Sequence, residues 1–246
     1  MKLIDTRGHT AAFEGENAIV VIGDHRLYLG DAYAIRPTLG WFDADVMDPQ
    51  YEFDNSGGGA WRGARGASDQ IEAEGLSDGF DFVVINPLLC GAVVVFCHDD
   101  QTAKLRAYLD GSFHRCVQLN WHKIAPAPHR NKNYIADTET WFHAWQRGFH
   151  PVGAHEDMQR FIIAPRMNGA RKRFAHPTVK PEPVMDKIMR NVNGQTVCDP
   201  FMGTGSTGVA AIKAGKIFTG IEQNRQHFET AVRRVDAAWR EFGGAA

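Results

Sequence analysis

The stretch Val197-Cys-Asp-Pro-Phe-Met-Gly-Thr-Gly-Ser-Thr-Gly208 decides the fold of this chain. It opens on apolar residues typical of a buried strand, breaks at Gly203 and Gly205, and continues into a helical pattern over 206–214. A glycine-rich turn between a strand and a helix presents backbone N–H groups to a cofactor, because glycine permits torsions and close approaches that a Cβ atom forbids. The stretch therefore predicts an α/β fold with a cofactor site at this turn. We expect Ser206 or Thr207 to cap the helix.

An acidic residue ends the next strand along the chain. The apolar run Ile217–Ile221 predicts that strand, and Glu222 stands at its tip, where a carboxylate can accept hydrogen bonds from both hydroxyls of a ribose. With a closing helix over 226–242, the segment is predicted to form a right-handed βαβ unit. Dinucleotide binding is the competing interpretation. It is disfavoured because Asp199-Pro-Phe201 precedes the glycines, and such a turn is not built to receive a pyrophosphate.

The rest of the chain contains further strand and helix patterns. Ala18–Ile22 and Arg26–Leu29 predict a hairpin around Gly23-Asp-His25. The other expected elements are strands over 41–47, 92–97, 117–122, 138–145 and 195–198, a helix over 99–109 with an Asp cap, and a helix over 183–193. A glycine-rich segment, 54–79, predicts a mobile loop, and the tracts 123–135 and 147–175 are expected to be irregular.

Charge is distributed unevenly along the chain. Residues 121–180 carry ten Lys+Arg against four Asp+Glu, whereas residues 1–120 carry nine against eighteen. The overall net charge of −2 argues against a uniformly basic nucleic-acid binder. A basic segment set against an acidic body is typical of a lobe that contacts phosphates, and a solvated surface stretch is the alternative interpretation.

Composition indicates a globular protein with a substantial core. The 246 residues are 43% hydrophobic and 23% charged, which fits one large domain or one domain with a modest lobe. Its apolar runs are too short to cross a bilayer, and the N-terminal residues lack the apolar core of a signal peptide. The four cysteines have no CxxC spacing, so buried thiols are expected and a metal or redox site is not. A cytoplasmic protein fits best.

The glycine turn and the sequence before it resemble two motifs of a known enzyme family. Asp199-Pro-Phe-Met-Gly-Thr-Gly-Ser-Thr207, followed by Gly220-Ile-Glu222, is similar to the S-adenosylmethionine (AdoMet) motif of DNA amino-methyltransferases. His176-Pro-Thr-Val-Lys-Pro181 resembles the same family's H-P-T-x-K-P element, which abuts the methionine part of the cofactor. The resemblance implies AdoMet as cofactor. The cofactor-binding residues it implies are Asp31, His176, Thr178, Lys180, Asp199, Pro200, Phe201, Gly203, Gly205, Ser206, Thr207 and Glu222.

The family's catalytic motif, D-P-P-Y, is matched at three of four positions by Asp48-Pro-Gln-Tyr51. An exocyclic amine attacks a sulfonium methyl group only when its lone pair is aimed at the methyl carbon. The resemblance implies that the Asp48 carboxylate and the Pro49 carbonyl accept its two N–H groups, and that Tyr51 stacks on a base flipped from the duplex. Gln50 replaces the second proline, so the turn is either loosened or given an additional hydrogen-bonding side chain.

The motifs occur in an unusual order, with the catalytic motif first and the cofactor motif last. This order is that of the circularly permuted β class of DNA amino-methyltransferases, which the chain resembles over 26–53 and 176–240. The resemblance implies a Rossmann-like methyltransferase fold with a mixed, largely parallel sheet, formed by residues 1–246 as a single domain. The Gly30-Asp31 pair would lie near the adenine of the cofactor. Segments 54–79 and, in part, 123–175 would be variable DNA-recognition segments.

Double-stranded DNA is the expected substrate, and basic residues of these segments are its candidate contacts. Those candidates are Trp61, Arg62, Arg65, Lys123, Arg130, Lys132, Arg171, Lys172 and Arg173. The glycine-rich loop is otherwise an ordinary surface loop. A homodimer is expected because β-class members often pair, and a partner restriction endonuclease is an open possibility.

Several activities remain open from the residues. An Asp at the head of the catalytic motif is typical of adenine-N6 enzymes, whereas cytosine-N4 enzymes more often begin it with Ser. Methylation at cytosine C5 is disfavoured because no Pro-Cys pair occurs, and methylation of RNA or of a protein amide usually accompanies an Asn in this position. The non-enzymatic alternative is an AdoMet-fold DNA-binding protein whose activity was impaired by Gln50.

Overall fold

A single mixed sheet of ten strands runs through the part of the chain that the computed structural model describes, residues 10–14, 17–51, 79–126, 134–167 and 179–243. The strands are β1 Thr10–Glu14, β2 Asn17–Ile22, β3 His25–Leu29, β4 Phe42–Met47, β5 Cys90–Cys97, β6 Arg115–Ile124, β7 Thr138–Trp145, β8 Phe161–Pro165, β9 Thr196–Asp199 and β10 Ile217–Glu222. Their order across the sheet is β1-β2-β3-β10-β9-β4-β5-β7-β6-β8.

Five α-helices connect or cover the described strands. They are α1 Ala32–Ile35, α2 Asp99–Ser112, α3 Glu182–Asn191, α4 Ser206–Lys213 and α5 Arg225–Ala238. Shorter 3₁₀ turns lie at Arg36–Thr38, Phe82–Val84 and His155–Met158, and a π-helical turn, Trp239–Gly243, follows α5. Within the described ranges, no helix has both the length and the apolar character needed to span a membrane.

The middle of the sheet is parallel and is built from distant parts of the chain. Strands β3, β10, β9, β4 and β5 all run in the same direction. Strand β7 pairs with β5 in the opposite direction, and β6 is antiparallel to β7 and parallel to β8. Because β9 and β10 lie between β3 and β4, the last strands of the chain complete the centre of a sheet that the first strands begin.

Helices cover both faces of the sheet, as a central strand with apolar residues on both sides requires. All eight residues of β5 are buried. Because successive side chains point to opposite faces, Val94 and Phe96 join the core under α3, α4 and α5, whereas Val93 and Val95 join the core with Leu105 of α2. This layering confirms the α/β class predicted from the sequence.

Most of the predicted elements are present, with small shifts at their ends. The hairpin of β2 and β3 and the strand Thr138–Trp145 are confirmed. The tract 147–175 was expected to be irregular, but β8 lies within it because its backbone pairs in parallel with β6. Strand β1 was not predicted. The closing helix ends at Ala238 and continues as the π-helical turn.

Two predicted helix caps are wrong. The residue that caps α2 is His98, whose Nδ1 accepts the Asp100 N–H, while Asp99 lies inside the first turn. The N-cap of α4 is Gly205, with φ of 84° and no side-chain cap, so neither Ser206 nor Thr207 has that role. The left-handed backbone at Gly205 orients the first turn of α4 without help from a hydroxyl.

Candidate active site

The carboxyl ends of five parallel strands meet at one edge of the sheet and bring the two predicted motifs together. Asp48 follows β4, Asp199 ends β9, and Glu222 ends β10. Asp31 follows β3 by two residues, and His98 follows β5 directly. Ligands of open parallel sheets bind at this edge. Residues separated by more than 150 positions in sequence are thereby neighbours in one site.

The catalytic motif forms a tight, internally bonded turn. The Tyr51 hydroxyl donates to Asp48 Oδ1 at 2.8 Å, and the Lys180 ammonium lies 2.7 Å from Asp48 Oδ2. Pro49 is buried and Gln50 is half-buried. About a quarter of the Asp48 side chain, 26%, remains exposed. The carboxylate is therefore held from behind, and one part of it still faces the open side of the site.

A row of charges lies behind Asp48, in which Lys180 is buried and Glu139 and Lys123 are half-buried. Lys180 Nζ lies 3.0 Å from Glu139 Oε2, and Lys123 Nζ lies 3.1 Å from Glu139 Oε1. Glu139 stands at the start of β7, where its backbone pairs with Trp121 of β6. Glu139 was not among the residues singled out from the sequence. Its signal was a charged residue two positions before the run Trp141-Phe-His-Ala-Trp145, at a strand end that the register places beside Lys123.

The surroundings of these groups shift their pKa values in ways that follow from charge and burial. Burial raises the pKa of Asp48, against the opposing effect of Lys180. Burial disfavours the charged form of Lys180, but Asp48 and Glu139 outweigh it and raise the pKa. Burial acts on Glu139 too, yet Lys180 and Lys123 lower its pKa. The pKa of Tyr51 lies well above its ordinary value because of burial and Asp48, so its hydroxyl stays protonated.

The glycine turn is organised by two carboxylates. The Gly203 N–H donates to Glu222 Oε2 at 2.8 Å, and the Asn224 N–H donates to Oε1 at 2.6 Å. The Phe201 N–H donates to Asp199 Oδ1 at 2.9 Å. Asp199 is only 2% exposed, and burial raises its pKa to about 7 although hydrogen bonds from Thr207 and Phe201 oppose the shift.

Glycine is required at two positions of this turn. Gly203 and Gly205 have φ of 54° and 84°, in the left-handed region that side chains with a Cβ atom avoid. A Cβ atom on Gly205 would also lie 3.2 Å from the Ala231 backbone of α5. The turn therefore packs directly against α5, and its backbone groups face the strand ends.

One cavity joins the two motifs. It is lined by Asp48, Lys180, Asp199, Phe201, Gly203, Ser206 and Thr207, among others. Its carboxylates suit a cationic ligand, and Glu222 beside it retains lone pairs that can accept from hydroxyl groups. Pro200 is buried beneath the turn. The residues present thus fit a ligand with a positively charged centre and a ribose.

Asp31 lies just after the end of β3 and has a structural contact of its own. Its carboxylate accepts the Tyr33 N–H at 2.9 Å and caps α1. The Gly30 N–H donates to the Glu222 backbone carbonyl at 3.0 Å, which ties the end of β3 to the end of β10. Asp31 is thereby held beside Glu222. Its contact with the cofactor stays a prediction.

Several predicted site residues lie outside the described part of the chain. They are the cofactor candidates His176 and Thr178 and the DNA-contact candidates Trp61, Arg62, Arg65, Arg130, Lys132, Arg171, Lys172 and Arg173. Among the DNA-contact candidates, Lys123 is described. Its ammonium contacts Glu139 and donates to the Ala136 carbonyl at 3.2 Å, and its contact with DNA stays a prediction.

Comparison with known proteins places the chain among DNA-modifying enzymes. A family model described as DNA methylase, of the N6/N4 methyltransferases, matches residues 90–233. The Type II methyltransferase M2.LlaDCHI of Lactococcus lactis subsp. cremoris is 27% identical over 255 residues, which cover 91% of each chain.

Solved structures share the fold. The complex of M1.HpyAVI with SAM has a TM-score of 0.62 and 23% identity, over 85% of this chain and 98% of that one. TTHA0409 of Thermus thermophilus, a putative DNA modification methylase complexed with S-adenosyl-L-methionine, has a TM-score of 0.59 and 18% identity, over 89% and 95%. These likenesses confirm the methyltransferase fold implied by the motifs. With its family model matched over more than half its length, the chain belongs to the N6/N4 family of DNA methylases.

Proposed function

We propose that this chain transfers a methyl group from AdoMet to the N6 amino group of adenine in duplex DNA, with the target base flipped out of the helix. The observation that carries the proposal is the cavity that Asp48 shares with the glycine turn. AdoMet is the methyl donor of the family to which the chain belongs, and when bound it supplies an electrophilic methyl group.

The residues that would hold the cofactor follow from the turn. Glu222 is placed to accept from the ribose hydroxyls, and Phe201 offers an apolar ring beside them. Above pH ~7 the Asp199 carboxylate is ionised and provides negative charge in the same cavity as the expected sulfonium. Asp31 stands beside Glu222, where the resemblance places the adenine.

The residues that would act on the target amine are those of the Asp48 turn. Asp48 accepts one N–H of the amine and the Pro49 carbonyl accepts the other, which turns the nitrogen lone pair toward the methyl group. The Asp48 carboxylate also stabilises the positive charge that develops on that nitrogen. Tyr51 presents a ring edge and face to the flipped base. Gln50 lies in the turn between Pro49 and Tyr51 and is half-buried.

Adenine is favoured over cytosine by the residue at the head of the motif. Asp48 stands where adenine-N6 enzymes typically carry Asp and cytosine-N4 enzymes more often carry Ser. The chemistry is otherwise shared, since both reactions need an exocyclic amine held by two acceptors. The identity of the base is therefore a question for direct measurement.

Transfer of labelled methyl groups from AdoMet to DNA tests the proposal. We expect incorporation into duplex DNA, and mapping of modified bases in DNA from an expressing host is expected to find N6-methyladenine in one sequence context. Finding N4-methylcytosine instead would show that the target base is cytosine and not adenine. AdoMet binding without any incorporation would instead favour the impaired DNA-binding protein.

We also propose that residues 1–246 act as a single methyltransferase domain, in which segments 54–79 and parts of 123–175 read the DNA sequence. The continuous sheet across the described residues supports this proposal. The homodimer and the partner endonuclease stay predictions.

A further inference from the structure

The Lys180 ammonium contacts three oxygens on the catalytic side of the site, donating a hydrogen bond to one and forming ion pairs with two. Its ammonium lies 2.7 Å from Asp48 Oδ2, 3.0 Å from Glu139 Oε2 and 3.0 Å from the Tyr51 hydroxyl. A lysine ammonium has three N–H donors and no acceptor. All three of these oxygens belong to the side of the site that carries Asp48, so the ammonium is engaged there.

The position of Lys180 is fixed by packing as well as by charge. Its side chain is 7% exposed, and Nζ lies 4.6 Å from the centroid of the Phe96 ring, in cation–π contact. Glu139 is anchored in turn by Lys123 at 3.1 Å. Two carboxylates and two ammonium groups alternate along this row, so its formal charge sums to zero.

We infer that Lys180 is a positioning residue of the catalytic motif: with Glu139 behind it, its ammonium group holds the Asp48 carboxylate and the Tyr51 hydroxyl in the orientation that receives the target amine. The inference rests on the proposed function, because it concerns the same amine. It assigns to Lys180 a different role from the cofactor contact implied by the H-P-T-x-K-P resemblance.

The geometry gives Lys180 and Glu139 opposite electrostatic effects on Asp48. The positive charge of Lys180 stabilises the ionised carboxylate that accepts the N–H, whereas the negative charge of Glu139 destabilises it. The groups that face or neighbour Asp48 from the surrounding elements are Tyr51, Lys180, Glu139, Asp199, His98 near the Tyr51 ring, and Lys123 through Glu139.

The test compares Lys180→Met with Glu139→Gln by steady-state kinetics across pH and by calorimetric binding of AdoMet. For Lys180→Met we expect kcat to fall by about 10²-fold, as for a displaced catalytic group, while AdoMet affinity changes little. The acid limb of its kcat profile should move to higher pH, because Asp48 loses its cationic partner. In Glu139→Gln the limb should move to lower pH.

Three further variants test whether charge, loss of folding or mutation of any lysine explains the result for Lys180→Met. Lys180→Arg retains the charge and should recover part of kcat and the position of the limb. The double variant Lys180→Met/Glu139→Gln removes one charge of each sign, so the row stays neutral if Lys180→Met alone unfolds, and its kcat should stay low. Lys104→Met, an exposed lysine on α2, should behave like the wild type.

The outcomes separate the two proposals. A wild-type chain that methylates no DNA would overturn the proposed function and this inference with it. An active wild type in which Lys180→Met loses AdoMet affinity but retains kcat would overturn the inference alone and return Lys180 to the cofactor. Shifts of the acid limb in the same direction for both single variants would also overturn the inference. Removing a positive and a negative neighbour of Asp48 must move its pKa in opposite directions, whereas a general loss of structure would not.

Discussion

At the scale of single residues, Asp48 combines a held orientation with an exposed edge. Two of its contacts, from Tyr51 and Lys180, come from the protein, and the remaining lone pairs are available to an amine. A carboxylate arranged in this way costs no reorganisation when the substrate arrives, which is the condition for electrostatic catalysis.

Replacing Asp48 by Asn removes this charge with almost no change in shape. We expect kcat for methyl transfer to fall by at least about 10²-fold, since the developing positive charge loses its partner, while AdoMet binding is retained. Kinetics with labelled AdoMet and calorimetry measure the two effects. Asp110→Asn on the exposed face of α2 is the matched control. Near-normal turnover in Asp48→Asn would remove Asp48 from the mechanism.

Asp199 predicts a dependence of stability on pH. Burial raises its pKa to about 7 in the folded chain, whereas an unfolded aspartate titrates near about 4. The folded state therefore binds the extra proton in this window, so the contribution of Asp199 to stability is complete below pH ~4 and is lost as pH rises toward about 7.

Asp199→Asn should consequently be more stable than the wild type at pH 8, by on the order of 2 kcal/mol, and the difference should be smaller at pH 5. Urea unfolding at both pH values measures it. Asp24→Asn, in the exposed turn between β2 and β3, provides the same chemical change away from the cavity. A larger gain in unfolding free energy for Asp199→Asn at pH 5 than at pH 8 would contradict the raised pKa of Asp199.

Site residues that belong to a local sequence motif could be predicted from the sequence. Site residues whose contacts depend on how distant strands pair could not. Asp48 and Glu222 were found because each follows an apolar strand at a motif spacing. Glu139 was missed because its contact with Lys180 joins β7 to a segment 41 residues further on, and no local pattern encodes that pairing. The caps at His98 and Gly205 were missed for a related reason: backbone geometry, not the polar side chain nearby, decided them.

At the scale of elements, the packing of α4 against the sheet depends on Gly208. A Cβ atom there would lie 2.7 Å from Phe218 and 2.9 Å from Val235, closer than side chains tolerate. Gly208 thus lets α4 approach both β10 and α5, which sets where the glycine turn begins.

Two Gly→Ala changes in helices separate this packing from helix propensity. Gly208→Ala should destabilise the fold by about 1–3 kcal/mol through overpacking. Gly111→Ala in α2, where an added Cβ meets nothing within 4 Å, should stabilise it by up to about 1 kcal/mol. Denaturant unfolding of both variants measures the difference. Equal effects in the two helices would show that Gly208 has no packing role.

The burial of a strand, together with its length, decided how well it could be predicted. The long apolar strands β5 and β7 were recognised because burial on both faces leaves an uninterrupted apolar run. Strand β8 was missed because Phe161 and Ile163 are 46% and 62% exposed, and a five-residue edge strand of this kind has no clear alternation. Its pairing with β6 could be seen only once the sheet was known.

At the scale of the whole molecule, all four cysteines are buried and unpaired. Burial raises the pKa of Cys97 and Cys116 to about 11 and the pKa values of Cys90 and Cys198 well above the ordinary range. Because the thiolate is the reactive form, these thiols should be inert while the chain is folded. They lie on β5, β6 and β9, in different parts of the sheet.

Reaction of the thiols with Ellman's reagent should therefore be slow in the native chain. In urea, all four thiols should react and release four equivalents of thionitrobenzoate per chain. The rate under native conditions should follow global unfolding, because strands from both halves of the chain must separate to expose the thiols. Fast reaction of a single thiol would instead show that one strand opens alone. Bound AdoMet should slow all four reactions together.

The sheet order was the part of the fold least accessible from sequence. A right-handed βαβ unit was predicted for β9, α4 and β10, but its place between β3 and β4 depends on pairs such as Leu27 with Gly220. Nothing in either local pattern specifies a partner some 190 residues away. The motif order supplied that placement only through a family resemblance.

The insertion of β9 and β10 into the middle of the sheet also fixes when activity can first appear during synthesis. Asp48 leaves the ribosome before β9 and β10 do, at the end of a strand that as yet lacks its β9 neighbour. The turn around Gly203 and the carboxylate of Glu222 follow more than 150 residues later. A growing chain that has not yet reached β10 therefore holds the Asp48 half of the proposed site without the cofactor half.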